Sequence, residues 1–246
     1  MKTLMNTKKL PYITLLLGLL GAALRRLLYS VAVDEKGLIV SCHPLELGLW
    51  LVTAAVVLVV LTVRKLDGSA RFEDNFHASI PAAVGCIAGA VGIGLTVLLQ
   101  EPGIGGGLGN AWKITGVLAF ASLDVIAKYR WEGKQPFFGL HALVCVFFAI
   151  HMVTCYRGWS GDPQLQDYVF PLFGCMGLML FAYYQAAFDV GLGKRRILLA
   201  VGLLTVFACF TALARTEHAP LYLSGGIWAA TNLCSLTPIP AAPEEE

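Results

Sequence analysis

The feature that most constrains this sequence is a series of apolar segments, each about as long as a bilayer is thick, separated by short polar stretches. A helix needs about 20 apolar residues to cross the hydrocarbon core. Eight segments come close to that length: residues 10–33, 46–63, 78–99, 111–127, 136–156, 168–190, 197–214 and 220–236. The fourth and the eighth are the weakest, because they are short and contain polar residues.

The composition agrees with this pattern. Hydrophobic residues make up 57% of the chain and charged residues 14%, whereas soluble domains average about 45–50% and about 25%. A soluble globular enzyme and a disordered chain therefore fit poorly. The net charge of only +2 gives no reason to expect a nucleic-acid partner. We predict an all-α fold, a polytopic transmembrane helical bundle of about eight spanning helices with the lipid bilayer as its first partner.

Basic residues are concentrated in alternate loops. If the N-terminus is cytoplasmic, the inner regions hold twelve: Lys2, Lys8, Lys9, Arg64, Lys65, Arg71, Lys128, Arg130, Lys134, Lys194, Arg195 and Arg196. The outer regions hold four: Lys36, Lys113, Arg157 and Arg215. Cytoplasmic loops are enriched in lysine and arginine. The pattern therefore predicts that both termini are cytoplasmic.

The loops leave little room for a second domain, since none exceeds 14 residues. We expect residues 1–236 to form a single transmembrane domain, with consecutive helices packed as antiparallel neighbours. Residues 237–246, with the sequence TPIPAAPEEE, are polar and proline-rich. They predict a short disordered cytoplasmic tail.

Small residues are spaced for close helix packing in two segments. Gly85 and Gly89 form G-x-x-x-G and are followed by Gly92, and the first segment carries Gly18 and Gly21. Helices in lipid associate through such small residues. These stripes predict faces that lie inside the bundle.

Arg25 lies fifteen residues after Leu10, in the outer third of the first segment. It shares a face with Gly18 and Gly21, so it should point into the bundle. One interpretation is that its guanidinium reaches up to the interface. A second is that it binds an anionic group of a small solute or a lipid headgroup through its planar fork. A third is an ion pair with Glu46.

Four polar residues lie within about two helical turns of the predicted cytoplasmic ends: Asp124, His141, Gln185 and Asp189. Gln185 and Asp189 are four apart and share a helix face. One interpretation is local pairing, of Asp124 with Lys128 and of Asp189 with the basic run 194–196. The other is a proton or cation relay, in which burial beside a histidine raises the pKa of a carboxyl group.

Several potential zinc ligands fall near the predicted outer face: Cys42, His43, His151, Cys155, Glu217 and His218. Zinc accepts such residues, but no local metal-binding spacing is present. We therefore predict no metal and no cofactor. The chain also lacks G-x-S-x-G and H-E-x-x-H. An intramembrane enzyme acting through His141 and Asp189 stays open, although the sequence favours a protein without catalytic activity.

The stretch from Trp159 to Arg196 resembles bacterial multi-pass membrane proteins of no assigned activity. The likeness lies in these motifs: DPQLQDY at 162–168, AFD at 187–189 and KRR at 194–196, together with DEKG at 34–37 and HP at 43–44. The resemblance implies a location in the bacterial cytoplasmic membrane. It implies no site and no activity.

The leading functional expectation is a small-solute transporter or substrate-capturing membrane subunit. Arg25 would contact an anion at the outer end, and Asp189 with His141 would titrate at the inner end, beside Gln185 and Asp124. One alternative is a non-transporting sensor or assembly subunit that binds a membrane protein partner through its glycine-rich faces. The other is the intramembrane enzyme.

Overall fold

A computed structural model describes residues 9–32, 43–63, 68–100, 106–161 and 165–237. Within these ranges the regular elements are helices, apart from one isolated bridge. The helices are α1 (Leu10–Val31), α2 (Pro44–Thr62), α3 (Phe72–Asn75), α4 (Ile80–Leu99), α5 (Gly107–Glu132), α6 (Phe138–Trp159), α7 (Val169–Asp189), α8 (Arg195–Ala212) and α9 (Ala219–Cys234). The all-α prediction is confirmed, and each of the eight apolar segments contains one long helix. The one-turn helix α3 was not predicted.

Six of these helices are long and apolar enough to cross a membrane: α1, α2, α4, α6, α7 and α8. Helix α9 has only 16 residues, and α5 carries charged side chains along its length. These two helices correspond to the segments that the sequence marks as weakest. The described chain therefore has the composition and helix lengths of a multi-pass membrane protein.

Proline and small polar residues set where several helices begin. Proline occupies the first turn of α2 and α4, where its missing N–H is not needed. The His43 ring and the Ser79 hydroxyl accept hydrogen bonds from backbone N–H groups of those first turns, which caps the helices. Helix α5 ends at Gly133, whose φ of 69° is the left-handed conformation that glycine adopts most easily.

The glycine stripes lie inside the bundle, as their spacing predicts. A Cβ atom added to Gly85 would overlap Thr231 of α9, and one added to Gly92 would overlap Ser224. The stripe of α1 packs on α8 in the same way. Both faces are therefore occupied by helices of the same chain, which leaves them no surface to offer a partner protein.

The order of packing differs in part from the order of the sequence. Leaving aside the one-turn α3, helices that follow one another along the chain pack together, except that α2 and α4 are not packed along each other in the described residues. Helix α4 instead lies between α5 and α9, and α8 contacts α1, α7 and α9. Helix α8 thus packs on α1, and helix α9 packs on α4, although each pair is far apart in the sequence.

The bundle has two ends that differ in their loops. We call the end where α1 begins and α9 finishes the basic end, because it carries Arg71 and the basic residues of 128–134 and 194–196. The opposite end, where α1 finishes and α9 begins, is the far end. At the basic end the segment after α3 meets the C-terminal residues, through a bridge between Phe76 and Leu236.

Candidate functional site

Three of the polar residues singled out in the sequence meet at the basic end. His141 Nδ1 lies 2.6 Å from Asp189 Oδ2, and His141 Nε2 lies 2.8 Å from Gln185 Oε1. All three side chains are buried. The contact arises because α6 begins where its neighbour α7 ends, which brings the first turn of one helix against the last turn of the other.

The donors and acceptors of this cluster suit a protonated imidazole. Both ring nitrogens of His141 face oxygen atoms, and only the imidazolium has an N–H on each nitrogen. Asp189 Oδ1 and Gln185 Nε2 are buried and have no hydrogen-bond partner among the described residues. The cluster thus combines a buried histidine–carboxylate pair with unused hydrogen-bonding capacity.

Asp124 does not join this cluster. It lies on an exposed face of α5, away from the place where α6 contacts α7. The carboxylate of Asp189 pairs with His141 and not with Arg195, whose guanidinium donates to Asn75 Oδ1 at 3.0 Å and to the Thr237 carbonyl. Pairing of Asp189 with the basic residues 194–196 was one interpretation of the sequence, and for Arg195 that interpretation is wrong.

Two arginines that the sequence places in cytoplasmic loops are buried at the basic end. Arg130 donates to Ser235 Oγ at 3.2 Å and lies 4.2 Å from the centroid of the Phe76 ring. Arg195 donates a hydrogen bond to Asn75 of α3. The contacts of Arg130 and Arg195 therefore connect the α3 segment with the residues that follow α9. The burial of Arg130 follows from helical spacing: it lies four residues after Ile126 and so shares the face of α5 on which Ile126 is fully buried.

At the far end, Arg25 points into the bundle and is only 2% exposed. Its guanidinium donates to the Thr211 carbonyl at 3.4 Å and to the Asp167 carbonyl, and lies 5.4 Å from the Phe170 ring centroid. The predicted direction of the side chain is confirmed. These donors bind oxygen atoms of the chain itself, so Arg25 ties α1 to α8 and to the turn before α7.

The Asp167 carboxylate is the centre of a second set of contacts beside Arg25. One oxygen accepts a hydrogen bond of 2.8 Å from Tyr29, and the other lies 2.9 Å from Arg215. The Arg215 guanidinium also lies 4.7 Å from the centroid of the Tyr29 ring. The Asp167 carboxylate therefore binds Tyr29 and Arg215, while Arg25 binds the backbone carbonyl of the same residue.

A cavity of about 440 Å³ opens beside this cluster. Its polar and aromatic lining consists of Arg26, Trp159, Asp167, Tyr168, Arg215, Thr216, Glu217 and His218. The two guanidinium groups are thus balanced by two carboxylates, and Arg215 is already paired with Asp167. Guanidinium groups bind carboxylates and phosphates bidentately, so Arg26 is the group in this lining with which a small anionic molecule would pair.

A third cluster lies at the same end and contains His151, Cys155 and His218. The Cys155 sulfur is 3.5 Å from His151 Nε2 and 3.4 Å from His218 Nε2. The three potential ligand atoms all lie within 4.8 Å of one another. By distance alone this set fits a zinc site.

The hydrogen-bond donors argue against that fit. Trp112 Nε1, which can only donate, lies 2.9 Å from His151 Nδ1. His151 Nδ1 is therefore an acceptor, and a neutral ring then carries its proton on Nε2, which points at the sulfur of Cys155. A protonated nitrogen cannot ligate a metal, so the residues fit a hydrogen-bonded chain better than a three-ligand metal site.

Two partners of this cluster gave no signal in the sequence: Trp112, which donates to His151, and Gln100, which contacts His218. Trp112 resembles any aromatic residue of an apolar helix, and Gln100 simply follows the last residue of α4. The packing of α5 against α6 brings Trp112 to His151, and the packing of α4 against α9 brings Gln100 to His218. No pattern along the sequence reports such a contact.

The fold defines the class of protein: an all-helical chain with the six apolar helices of a multi-pass membrane protein. No family model matches the sequence, and no curated protein and no solved structure shows significant similarity to it.

Proposed function

We propose that eight helices span a bacterial cytoplasmic membrane, with both termini on the cytoplasmic side. The loop charges favour this orientation, and the resemblance in the sequence motifs favours a bacterial membrane. Helices α5 and α9 pack on either side of α4, which is apolar and long enough to span. Their position beside α4 supports two further spans.

Two exposed serines at opposite ends test the orientation: Ser69 at the basic end and Ser160 at the far end. Single variants Ser69→Cys and Ser160→Cys are treated in intact cells with a membrane-impermeant maleimide, with the parent protein as background. We expect labelling above background only at position 160. Labelling of position 69 from outside would contradict the orientation.

We also propose that the protein captures a small anionic solute at the far end and moves it with the help of a protonatable pair at the basic end. The observation that carries this proposal is the buried contact of His141 with Asp189 and Gln185. Ionisable residues at membrane depth are costly, and they commonly mark ion and proton pathways. The far-end cavity supplies the place for the solute.

The two sites lie at opposite ends of the bundle. His141 is in the first turn of α6, and Trp159, which lines the cavity, is its last residue. At 1.5 Å per residue they are about 27 Å apart along the helix. Solute and proton would therefore bind near opposite faces of the membrane, and their coupling would act through the packed helices.

Uptake into proteoliposomes tests the transport proposal. The probes are radiolabelled inorganic phosphate, lactate and glutamate, with and without an inward proton gradient. We expect gradient-driven uptake of at least one anion in the wild type. Asp189→Asn and His141→Gln should lower that uptake at least about tenfold, because they remove the proton-binding pair.

The control variant is Asp124→Asn, which removes an exposed carboxylate. It should leave uptake unchanged, whereas Arg26→Ala should raise the concentration of anion needed for half-maximal uptake. Equal uptake by all variants, or uptake independent of the proton gradient, would contradict the proposal. Anion binding without any uptake would instead favour a sensor or capturing subunit.

A further inference from the structure

We propose that Cys155 is a nucleophilic thiol, with His218 as its general base and Gln100 as the residue that positions His218. The thiol would accept an acyl group from a small anionic thioester that enters by the far-end cavity, where His218 both lines the cavity and contacts the buried Cys155 sulfur. This inference shares that cavity with the proposed function but does not depend on transport.

The direction of the hydrogen bonds around Cys155 is fixed from both sides. On one side, Trp112 can only donate, so neutral His151 carries its proton on Nε2 and presents it to the sulfur. On the other side, the Glu217 backbone carbonyl can only accept, so it binds the amide nitrogen of Gln100.

The amide oxygen of Gln100 then faces His218 Nδ1, and this nitrogen must carry the proton of the neutral ring. His218 Nε2 is left as an acceptor 3.4 Å from the Cys155 sulfur. The thiol proton therefore has one acceptor among the ring nitrogens that contact the sulfur. Burial lowers the pKa of His218, although Glu217 opposes the shift, so the ring is neutral near neutral pH and able to accept a proton.

A thiol, an imidazole and a side-chain amide in this order are the groups used by cysteine acyl-transfer enzymes. In the proposed step, the sulfur of Cys155 attacks the thioester carbonyl carbon while its proton moves to His218 Nε2. When the intermediate collapses, the carbon–sulfur bond of the donor breaks, and His218 returns the proton to the leaving thiolate. The products are an S-acyl Cys155 and a free thiol.

The surroundings of the thiol contain further features that suit an acyl donor. Trp159 lies one helical turn beyond Cys155 on the same face of α6, and it lines the cavity together with His218. The lining also contains the carboxylates of Asp167 and Glu217, and Arg215 is paired with Asp167. Arg26 is therefore the guanidinium that would pair with an anionic group on the donor.

An unused donor also lies close by. Tyr222 lies one helical turn after His218, and its hydroxyl is buried and has no hydrogen-bond partner in the described part of the chain. A carbonyl oxygen of the donor would supply the acceptor that this hydroxyl lacks.

The test uses the full chain in detergent, with S-acetylthioglycolate as a small anionic thioester and peptide mass spectrometry as the readout. Cys145 and Cys234 are internal controls, because both are more exposed than Cys155. If exposure alone decides reactivity, they are acetylated first. We expect Cys155 to react at least about tenfold faster than either control.

His218→Ala should slow acetylation of Cys155 at least about tenfold. It should also remove the pH dependence of the acetylation rate that titration of the His218 ring produces. Gln100→Ala keeps the thiol–imidazole pair and should slow the reaction less. The rates at Cys145 and Cys234 show whether each variant is folded, since they should not change. An unreactive Cys155, or a rate that His218→Ala and Gln100→Ala leave unchanged, would overturn the proposal. One zinc ion per wild-type chain, lost in Cys155→Ser, would overturn it in favour of a metal site.

Discussion

The basic end and the far end both bury ionisable side chains, but they differ in the access of water. At the basic end, the side chains of His141 and Asp189 are 2% and 1% exposed and contact each other between two helices. At the far end, Asp167 is 6% exposed, whereas its partner Arg215 is 56% exposed and lines a cavity. The two ion pairs are similar in length and differ in environment.

This difference suggests different tasks for the two ends. The basic end also has a cavity, of about 570 Å³ between α6 and α7, but His141 and Asp189 are not part of its mainly apolar lining. A pair buried in this way suits the exchange of a proton, which needs little space. A pair at the wall of a cavity suits contact with a solute, because one partner stays free to move. Three experiments test this comparison, and they are ordered by the size of the effect that we expect.

The largest effect is expected for Arg25→Ala at the far end. The substitution removes a buried guanidinium that binds the carbonyls of Thr211 and Asp167, and it leaves these two buried carbonyls without that donor. We expect the free energy of unfolding to fall by about 3 kcal/mol. Denaturant titration in detergent micelles measures this change.

The adjacent residue provides the control for this measurement. Arg26 is exposed and lines the cavity, so Arg26→Ala should change anion binding and leave the unfolding transition almost unchanged. Equal destabilisation by the two substitutions would mean that Arg25 is not the structural tie that its contacts indicate.

A smaller effect is expected in the coupling energies of the two ion pairs. A double-mutant cycle with His141→Asn and Asp189→Asn should give a coupling of about 2 kcal/mol, because the pair is buried. The same cycle with Arg215→Ala and Asp167→Asn should give about 0.5 kcal/mol, because Arg215 is largely exposed and water screens its charge. Similar couplings at both ends would remove the distinction between them.

The smallest effect is expected from protonation of His218. Because burial lowers the pKa of this ring in the folded protein, its contribution to stability is complete above the unfolded pKa of about 6.5. That contribution is lost as the pH falls towards the lower pKa of the folded state. Thermal unfolding should therefore show a loss of stability on acidification, smaller in His218→Gln. A pH dependence that is identical in the two proteins would contradict this assignment.

The sequence predicted the helices of this fold better than their partners. Apolar length and polar gaps located eight helical segments, because bilayer thickness and helix rise fix that length. Short loops also predicted most neighbouring pairs. The contacts of α4 with α9 and of α1 with α8 could not be predicted in this way, because no loop joins those helices. The glycine stripes indicated that these faces are buried, but not against which helix.

The candidate sites show the same limit. His141, Gln185 and Asp189 were grouped correctly, because residues near the adjoining ends of consecutive helices share a depth. Asp124 was grouped by depth as well, yet it faces away, since depth does not give the direction of a side chain. Arg130 was counted only as a basic loop residue, although its spacing from Ile126 places it on the buried face of α5. The partners of Cys155 required the packing of helices distant in sequence.

The packing of α4 against α9 has a consequence for the biogenesis of the protein. Ribosomes make α4 well before α9, so the glycine stripe of α4 lacks its partner until α9 has been translated. The bridge between Phe76 and Leu236 closes later still. The bundle therefore cannot be completed before α9 is made, and a chain that stops before Ala219 would leave α4 without the helix that covers its glycines.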